Sequence, residues 1–444
     1  MNKFFDKRKK LTSFQNIILG FSGIILLGTF LLMMPFSTRS GCFTPFENAL
    51  FTSTSAVCVT GLVVYDTASY WSDFGQFIIM MLIQIGGMGI ITVAASFAVI
   101  SGRKISLMQR STMQEAVAAP KVGGIVRLTK FIVKITLIIE LIGGAVMAPV
   151  FCRDFGIRGL WMALFHSVSA FCNAGFDLMG KETPFSSLTA YMSDSIINTA
   201  VMLLIITGGI GFLTWDDIRT NRLHLKRYKM QSKVILCTTA ILLIIPAVYF
   251  FFFEFAHLAP KERLLTSVFQ SVTTRTAGFN TIDLTKLSEA GQYIFIFLML
   301  IGGSPGSTAG GMKTTTIAVL IGTAVSTFLR KENTCFFGRR IGDNVIKNAA
   351  TILVMYLTLF FFGGLAISRI EGLPMLICLF ETASAVGTVG LTLGITSGLC
   401  TISKIILIIL MFLGRVGGLT LIYAAISEPQ RNVSKFPQEK ITVG

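Results

Sequence analysis

Glycines 61, 175, 278 and 390 each close a short passage that opens on phenylalanine. The passages read FTSTSAVCVTGL from Phe51, FHSVSAFCNAGF from Phe165, FQSVTTRTAGF from Phe269 and FETASAVGTVGL from Phe380. Glycine takes φ > 0 at little steric cost, so a chain passing through it can turn successive carbonyl oxygens the same way. Carbonyls aimed at one axis can replace the water shell of a bare cation without adding net charge. Four such passages, at intervals of 114, 103 and 112 residues, predict a ring built from a single chain. Its expected wall is Val59, Thr60 and Gly61; Asn173, Ala174 and Gly175; Thr276, Ala277 and Gly278; and Thr388, Val389 and Gly390.

The fourfold pattern is approximate. Phenylalanine and glycine stand ten positions apart in three passages and nine in the third, where Arg275 also occurs. A guanidinium facing the path would repel cations, so Arg275 is expected behind the wall, bonded to carbonyls or a carboxylate; a solvated rim position is the alternative. One glycine per passage, rather than the two of a TVGYG loop, gives fewer coordination layers and leaves sodium as a second ion to consider.

A second glycine-rich stretch runs Gly302-Gly303-Ser304-Pro305-Gly306-Ser307-Thr308-Ala309-Gly310-Gly311. It interrupts an apolar segment, and no helix continues through that composition. Irregular backbone at membrane depth must be covered by protein or line water, so the stretch is expected to project beneath the ring as an obstruction. Gly311-Met312-Lys313-Thr314 superficially resembles the end of a phosphate-binding loop, but the GxxxxGK[ST] spacing fails and no strand precedes it. Lys313 is expected to mark the cytoplasmic side of the obstruction. Arg415 lies within the last apolar run, where a lipid-facing charge costs about 2.5 to 3.5 kcal/mol, so it is expected to face the path and bond the glycine-rich loop. Packing against helix-end carbonyls is the alternative for Arg415. Pairs such as Gly143-Gly144 and Gly363-Gly364 read as close helix packing.

The elements holding these residues follow from hydropathy. The chain has 444 residues, 53% of them hydrophobic and 14% charged, too apolar for one soluble core. Residues 17–34 form an uncharged run long enough to cross roughly 30 Å of hydrocarbon. A basic head precedes it, and Met34-Pro35-Phe36 follows where a small-residue cleavage site would sit, so retention is expected. Further runs lie at 77–100, 131–151, 196–212, 234–253, 293–301 with 316–328, 352–367 and 402–426, giving eight spans. Each glycine passage sits between two spans and is too short to cross, so the repeating unit is span, re-entrant helix, span. The expected fold is an all-α polytopic membrane protein with four fused units around a central pore. Its divisions are a tail at 1–12, units at 13–102, 103–218, 219–330 and 331–426, and a tail at 427–444.

The formal net charge is +16. The basic residues fall in alternate connections rather than one patch, which is the signature of loop-charge orientation and argues against nucleic acid as a partner. Both termini are then cytoplasmic and all four glycine passages open outward. A rocking transporter with inverted repeats would place them on opposite faces. The eight cysteines lack metal-site spacing and mostly read as small buried hydrophobes, with a Cys42–Cys152 disulfide left open. The three histidines are far apart, and no paired catalytic groups suggest a membrane enzyme.

The passages, TTRTAGF from Thr273 above all, resemble the Trk/Ktr/HKT superfamily of potassium transporters over nearly the whole chain. Within it the likeness is to KtrB-like membrane subunits of bacterial Ktr systems, since there is no additional N-terminal helix pair. The resemblance implies that Gly61, Gly175, Gly278 and Gly390 are filter glycines binding dehydrated potassium, that residues 302–311 form an intramembrane gate loop, and that Arg415 belongs to the gate. It also implies a homodimer in the bacterial cytoplasmic membrane, regulated by a cytosolic nucleotide-binding ring subunit (KtrA-like). The transported ion is the ligand, and no cofactor is expected in this chain.

Overall fold

The structure is a computed structural model describing residues 12–100, 106–117, 123–181, 183–222 and 224–417. The basic head and the 427–444 tail lie outside the described residues. The first unit contains α1 (Ser13–Met33), the short α2 (Phe46–Cys58), then α3 (Asp73–Met88) and α4 (Ile90–Ile100). Helix α5 (Leu107–Ala116) leads to the second unit, α6 (Ile125–Phe155), α7 (Arg158–Cys172), α8 (Ser195–Gly209) and α9 (Phe212–Asn221). The third unit is α10 (Met230–Tyr249), α11 (Pro260–Thr273), α12 (Glu289–Leu300) and α13 (Thr314–Phe328). A small hairpin of β1 (Cys335–Phe336) and β2 (Arg339–Arg340) precedes the fourth unit, α14 (Asp343–Glu371), α15 (Met375–Gly387) and α16 (Thr401–Val416).

Local sequence sets these boundaries. Helix α1 opens on a capping box in which the Thr12 hydroxyl accepts from the Gln15 amide and the Gln15 side chain accepts from the Thr12 amide. Helices α3, α8 and α12 start after Ser72, Asp194 and Ser288, whose side chains accept first-turn amides. Prolines 45, 260 and 374 start α2, α11 and α15 with φ already suited to a helix. The short helices α2, α7, α11 and α15 have 13, 15, 14 and 13 residues. At 1.5 Å per residue none reaches across a hydrocarbon layer.

The phenylalanines that open the glycine passages, Phe51, Phe165, Phe269 and Phe380, expose no surface and root the short helices in one continuous core. Around it, the apolar windows of the four long helices are only 28–39% buried. Their outer faces carry Phe30, Leu141, Ile244 and Phe362, all exposed. Such a continuous apolar surface requires lipid.

The eight expected runs are not all single straight helices, and residues 418–426 of the last run lie outside the described residues. Among the described residues four helices are long and apolar enough to cross, at 13–33, 125–155, 230–254 and 343–371, and each is the first long helix of its unit. The second long helix of every unit breaks or ends at glycine. Run 77–100 breaks at Gly89, run 196–212 bends by 95° around Gly211, the third opens into residues 301–313, and α16 stops at Gly417. Glycine pairs 143/144 and 363/364 do sit at helix contacts, where a methyl would crowd Ser167 and Leu204, or Leu379 and Leu410. Among the described residues Cys58, Cys172 and Cys378 are buried. Cys42, Cys237, Cys335 and Cys400 are exposed, and all eight cysteines are unbridged.

Candidate ion pathway

The C-termini of the four short helices converge. In α2, α7 and α15 the helix ends on a left-handed residue, Val59, Asn173 or Thr388, with φ of 57°, 59° and 52°. The next amide, that of Thr60, Ala174 or Val389, donates 2.8 Å back to a serine carbonyl in the last turn. The glycine then has positive φ again, from 70° to 93° over the four units. In the third unit the helix ends at Thr273 and only nine positions separate Phe269 from Gly278, yet Thr276 takes φ 71° as the Ala277 amide donates to the Thr273 carbonyl at 3.0 Å instead. The missing residue is absorbed at the helix end, and the turn keeps its register.

Ring closure is visible in what a methyl on each glycine would meet. From Gly61 it would lie 3.1 Å from Gly175 Cα, from Gly175 2.9 Å from Gly278 Cα, from Gly278 3.4 Å from Gly390 Cα, and from Gly390 2.9 Å from Gly61 Cα. The four turns therefore abut in chain order, backbone against backbone. The wall residues Thr60, Ala174, Ala277 and Val389 are fully buried. Two kinds of support hold them: Ser55 and Ser384 hydroxyls accept from the Gly61 and Gly390 amides at 3.1 and 2.9 Å, whereas Ser169 and Thr273 hydroxyls donate to the carbonyls of Phe176 and Phe279. Asn173 and Thr276 side chains meet at 3.2 Å between neighbouring turns.

Above the ring lies a vestibule of about 130 Å³ lined by all four glycines and by Asp66 and Asp177. Asp66 accepts from the Ala68 and Ser69 amides and, across units, from the Phe185 amide at 2.9 Å. Burial pushes the Asp177 carboxyl up to about 7; the Met179 amide opposes this and the charge of Asp66 adds to it.

Residues 302–311 pack directly beneath the ring. Gly310 approaches Thr388 so closely that a methyl would collide with it, and one on Gly311 would lie 2.8 Å from the Gly387 carbonyl. The loop ends meet: Gly302 N–H donates to Met312 at 2.7 Å and Thr314 N–H to Gly303 at 3.0 Å. Pro305, Gly306, Ser307, Ala309 and Gly311 form one wall of a lower cavity of about 320 Å³. The Ser304 amide donates to Gly209 at 2.9 Å, and the Thr308 hydroxyl donates to Phe171 at 3.0 Å. Arg415 donates to the carbonyls of Thr308, Gly86 and Gly87, which joins the loop to the first and fourth units. Lys313 turns back onto the loop, its Nζ 2.8 Å from the Ala309 carbonyl and 3.3 Å from that of Gly310.

The structure adds to the expected site in several respects. Arg275 lies behind the ring beside Ile205, Val272 and Gly303, but its buried Nε has no partner rather than the expected carbonyl or carboxylate. Positive φ is not confined to glycine, since residues 59, 173, 276 and 388 share it, and their types, Val, Asn, Thr and Thr, give no common signal. The helix breaks outside the third unit were legible: Gly86-Gly87-Met88-Gly89, Gly208-Gly209-Ile210-Gly211 and Gly414-Arg415-Val416-Gly417 share one spacing. A methyl at Gly86, Gly208 or Gly414 would strike the carbonyl of Val57, Phe171 or Val386, each four residues before a ring glycine. Arg415 thus occupies the place that Gly87 and Gly209 hold in other units. Buried polar ties that no sequence motif marks also hold the units: Glu140 accepts from Gln84 at 3.1 Å, Glu381 from Thr392 at 2.8 Å, and Lys404 donates to Asn48 at 3.0 Å. Among the described residues no group of three or more His, Cys, Asp or Glu is placed to hold a metal ion.

Comparison with known proteins agrees with this architecture. The chain is 40% identical to the potassium/sodium uptake protein NtpJ of Enterococcus hirae, covering 98% of each. It is 38% identical to Ktr system potassium uptake protein B of Bacillus subtilis, covering 98% of this chain and 97% of that one. Its fold matches the crystal structure of the potassium transporter TrkH from Vibrio parahaemolyticus with a TM-score of 0.75 at 19% identity, over 95% of this chain and 86% of that one. The family described as TrkH, cation transport protein, matches residues 8–436, and this multi-pass membrane protein therefore belongs to it.

Proposed function

We propose that the chain takes up potassium through the ring, with the 302–311 loop as its gate. The closed ring of four backbone turns carries this reading. Its wall offers carbonyls and no charged side chain, which suits a dehydrated monovalent cation. A membrane potential negative inside supplies about 2.3 kcal/mol per charge per 100 mV, enough to drive entry without a nucleotide-hydrolysing site in this chain. Potassium uptake in the names of the relatives supports the choice of ion, and sodium in one of them supports a filter that also admits sodium. The Ktr system named for one relative supports a multi-component assembly, and within this proposal the chain acts as a homodimer whose gate answers to a cytosolic nucleotide-binding ring. Loop charge supports an orientation with the vestibule outside and both termini inside.

Replacing Gly278 with Ser tests the filter. A side chain there would enter backbone of the second and fourth turns, so rubidium and sodium influx into potassium-starved cells should lose their difference. Unchanged ion preference in a folded variant refutes the filter assignment.

A further inference from the structure

The connection between the third and fourth units carries a surface that the ion path does not use. Helix α13 leaves the foot of the loop at Thr314. At 1.5 Å per residue, Gly322 lies about 12 Å and Phe328 about 21 Å farther along. With the loop near the middle of a layer about 30 Å thick, this part of α13 crosses the headgroup boundary. The chain then folds back on the helix. Phe336 lies against Gly322, where even a methyl would collide with its ring, and the Thr334 hydroxyl donates to that of Thr323 at 3.2 Å. Ile341 closes the hairpin, its amide donating 2.9 Å to Thr334 and its side chain clustering with Val319 and Ala349.

The side chains this clamp presents are of two kinds. Phe328 is 84% exposed, Leu329 60% and Phe337 55%. Beside them stand four exposed cations, Arg330, Lys331, Arg339 and Arg340. Lys233 approaches the Phe337 ring at 5.8 Å. Two acids oppose them: Glu332 is exposed, and Asp343 reaches Arg340 at 3.9 Å. Large apolar side chains entering the acyl boundary, with a cationic excess at phosphate level, fit an anionic lipid surface.

We propose that the hairpin and the end of α13 bind anionic phospholipid headgroups of the inner leaflet and, being fixed to the helix that leaves the loop, transmit that binding to the gate. This rests on the orientation and gate assigned above. The test reconstitutes the full chain in phosphatidylcholine vesicles with rising fractions of phosphatidylglycerol. It reads enrichment of spin-labelled phosphatidylglycerol around the protein together with rubidium flux. The parent protein should enrich the anionic lipid, and its flux should change with lipid charge. At about fivefold per charge, R330Q/K331Q/R339Q/R340Q should lose enrichment by at least about tenfold along with the flux response, and R330K/R339K/R340K should keep both. If the fourfold variant does not reconstitute, the pairs R330Q/K331Q and R339Q/R340Q carry the same measurement. Equal enrichment by parent and glutamine variants overturns the proposal, as does lost association with a cytosolic protein while lipid enrichment and the flux response stay intact. Orientation is read separately by an impermeant maleimide on exposed Cys335, with C335S as blank. Labelling from outside in excess of the C335S blank refutes the orientation whatever the lipid result, whereas labelling of Cys335 from inside without lipid enrichment refutes the lipid surface alone.

Discussion

Val59, Asn173, Thr276 and Thr388 hold a backbone conformation that costs an L-residue about 1 to 2 kcal/mol, and they hold it at equivalent points of four turns. Local preference would relax each of them, so the surrounding packing must oppose it. Asp177 has a different task. Its carboxyl, raised to about 7 by burial beside Asp66, is charged above that pH and neutral below it. A negative charge in a vestibule lined by the ring glycines draws cations toward the wall. Rubidium uptake at limiting concentration should therefore fall as external pH drops through about 7. Asp177→Asn should stay at the low-pH level throughout, and a variant that keeps the parent pH profile would remove Asp177 from this role.

The loop between α12 and α13 is tethered at many points, and its two ends are bonded to each other. Because Gly302 and Met312 already bond each other, deleting residues 303–310 should let α12 meet α13 without stretching the chain. Rubidium flux in vesicles should rise severalfold. Arg415→Ala should raise it too, since it frees the Thr308 carbonyl, and combining the two should add little, because both act on one barrier. A folded deletion variant with unchanged flux would show that the barrier lies elsewhere. The same element logic explains the glycines of the second long helices. Each lets a helix pass against the carbonyl end of a short helix, so the breaks and the ring form one construction.

Across the molecule, one chain must close a circle whose last unit meets its first. Lys404 on α16 makes part of that closure, donating 3.0 Å to Asn48 on α2, whose amide in turn donates to Tyr65 at 2.8 Å. Lys404→Met should leave the Asn48 oxygen without its donor and cost about 1 to 3 kcal/mol. A lowered thermal unfolding midpoint of the purified protein reads this loss; no change would mean that apolar contacts alone hold the seam. Closure also explains the tolerance for unequal units. The third passage is a residue shorter from Phe269 to Gly278 and carries Arg275, yet its glycine still meets both neighbours.

Membrane character, four units, the ring glycines and the interrupted third unit were all legible in the chain, because hydropathy, Phe-to-Gly spacing and helix-breaking composition are local properties that lipid and backbone sterics read directly. The spacing of Gly86 to Gly89, Gly208 to Gly211 and Gly414 to Gly417 was equally present, though each run looks like a continuous span until its helix meets another backbone. Only the tertiary structure decided that residues 59, 173, 276 and 388 turn left-handed, that Arg275 is buried with its Nε unpaired, and that Arg415 reaches a loop more than a hundred residues away in sequence. Those outcomes depend on which backbones approach one another when the circle closes, and no local residue preference encodes that.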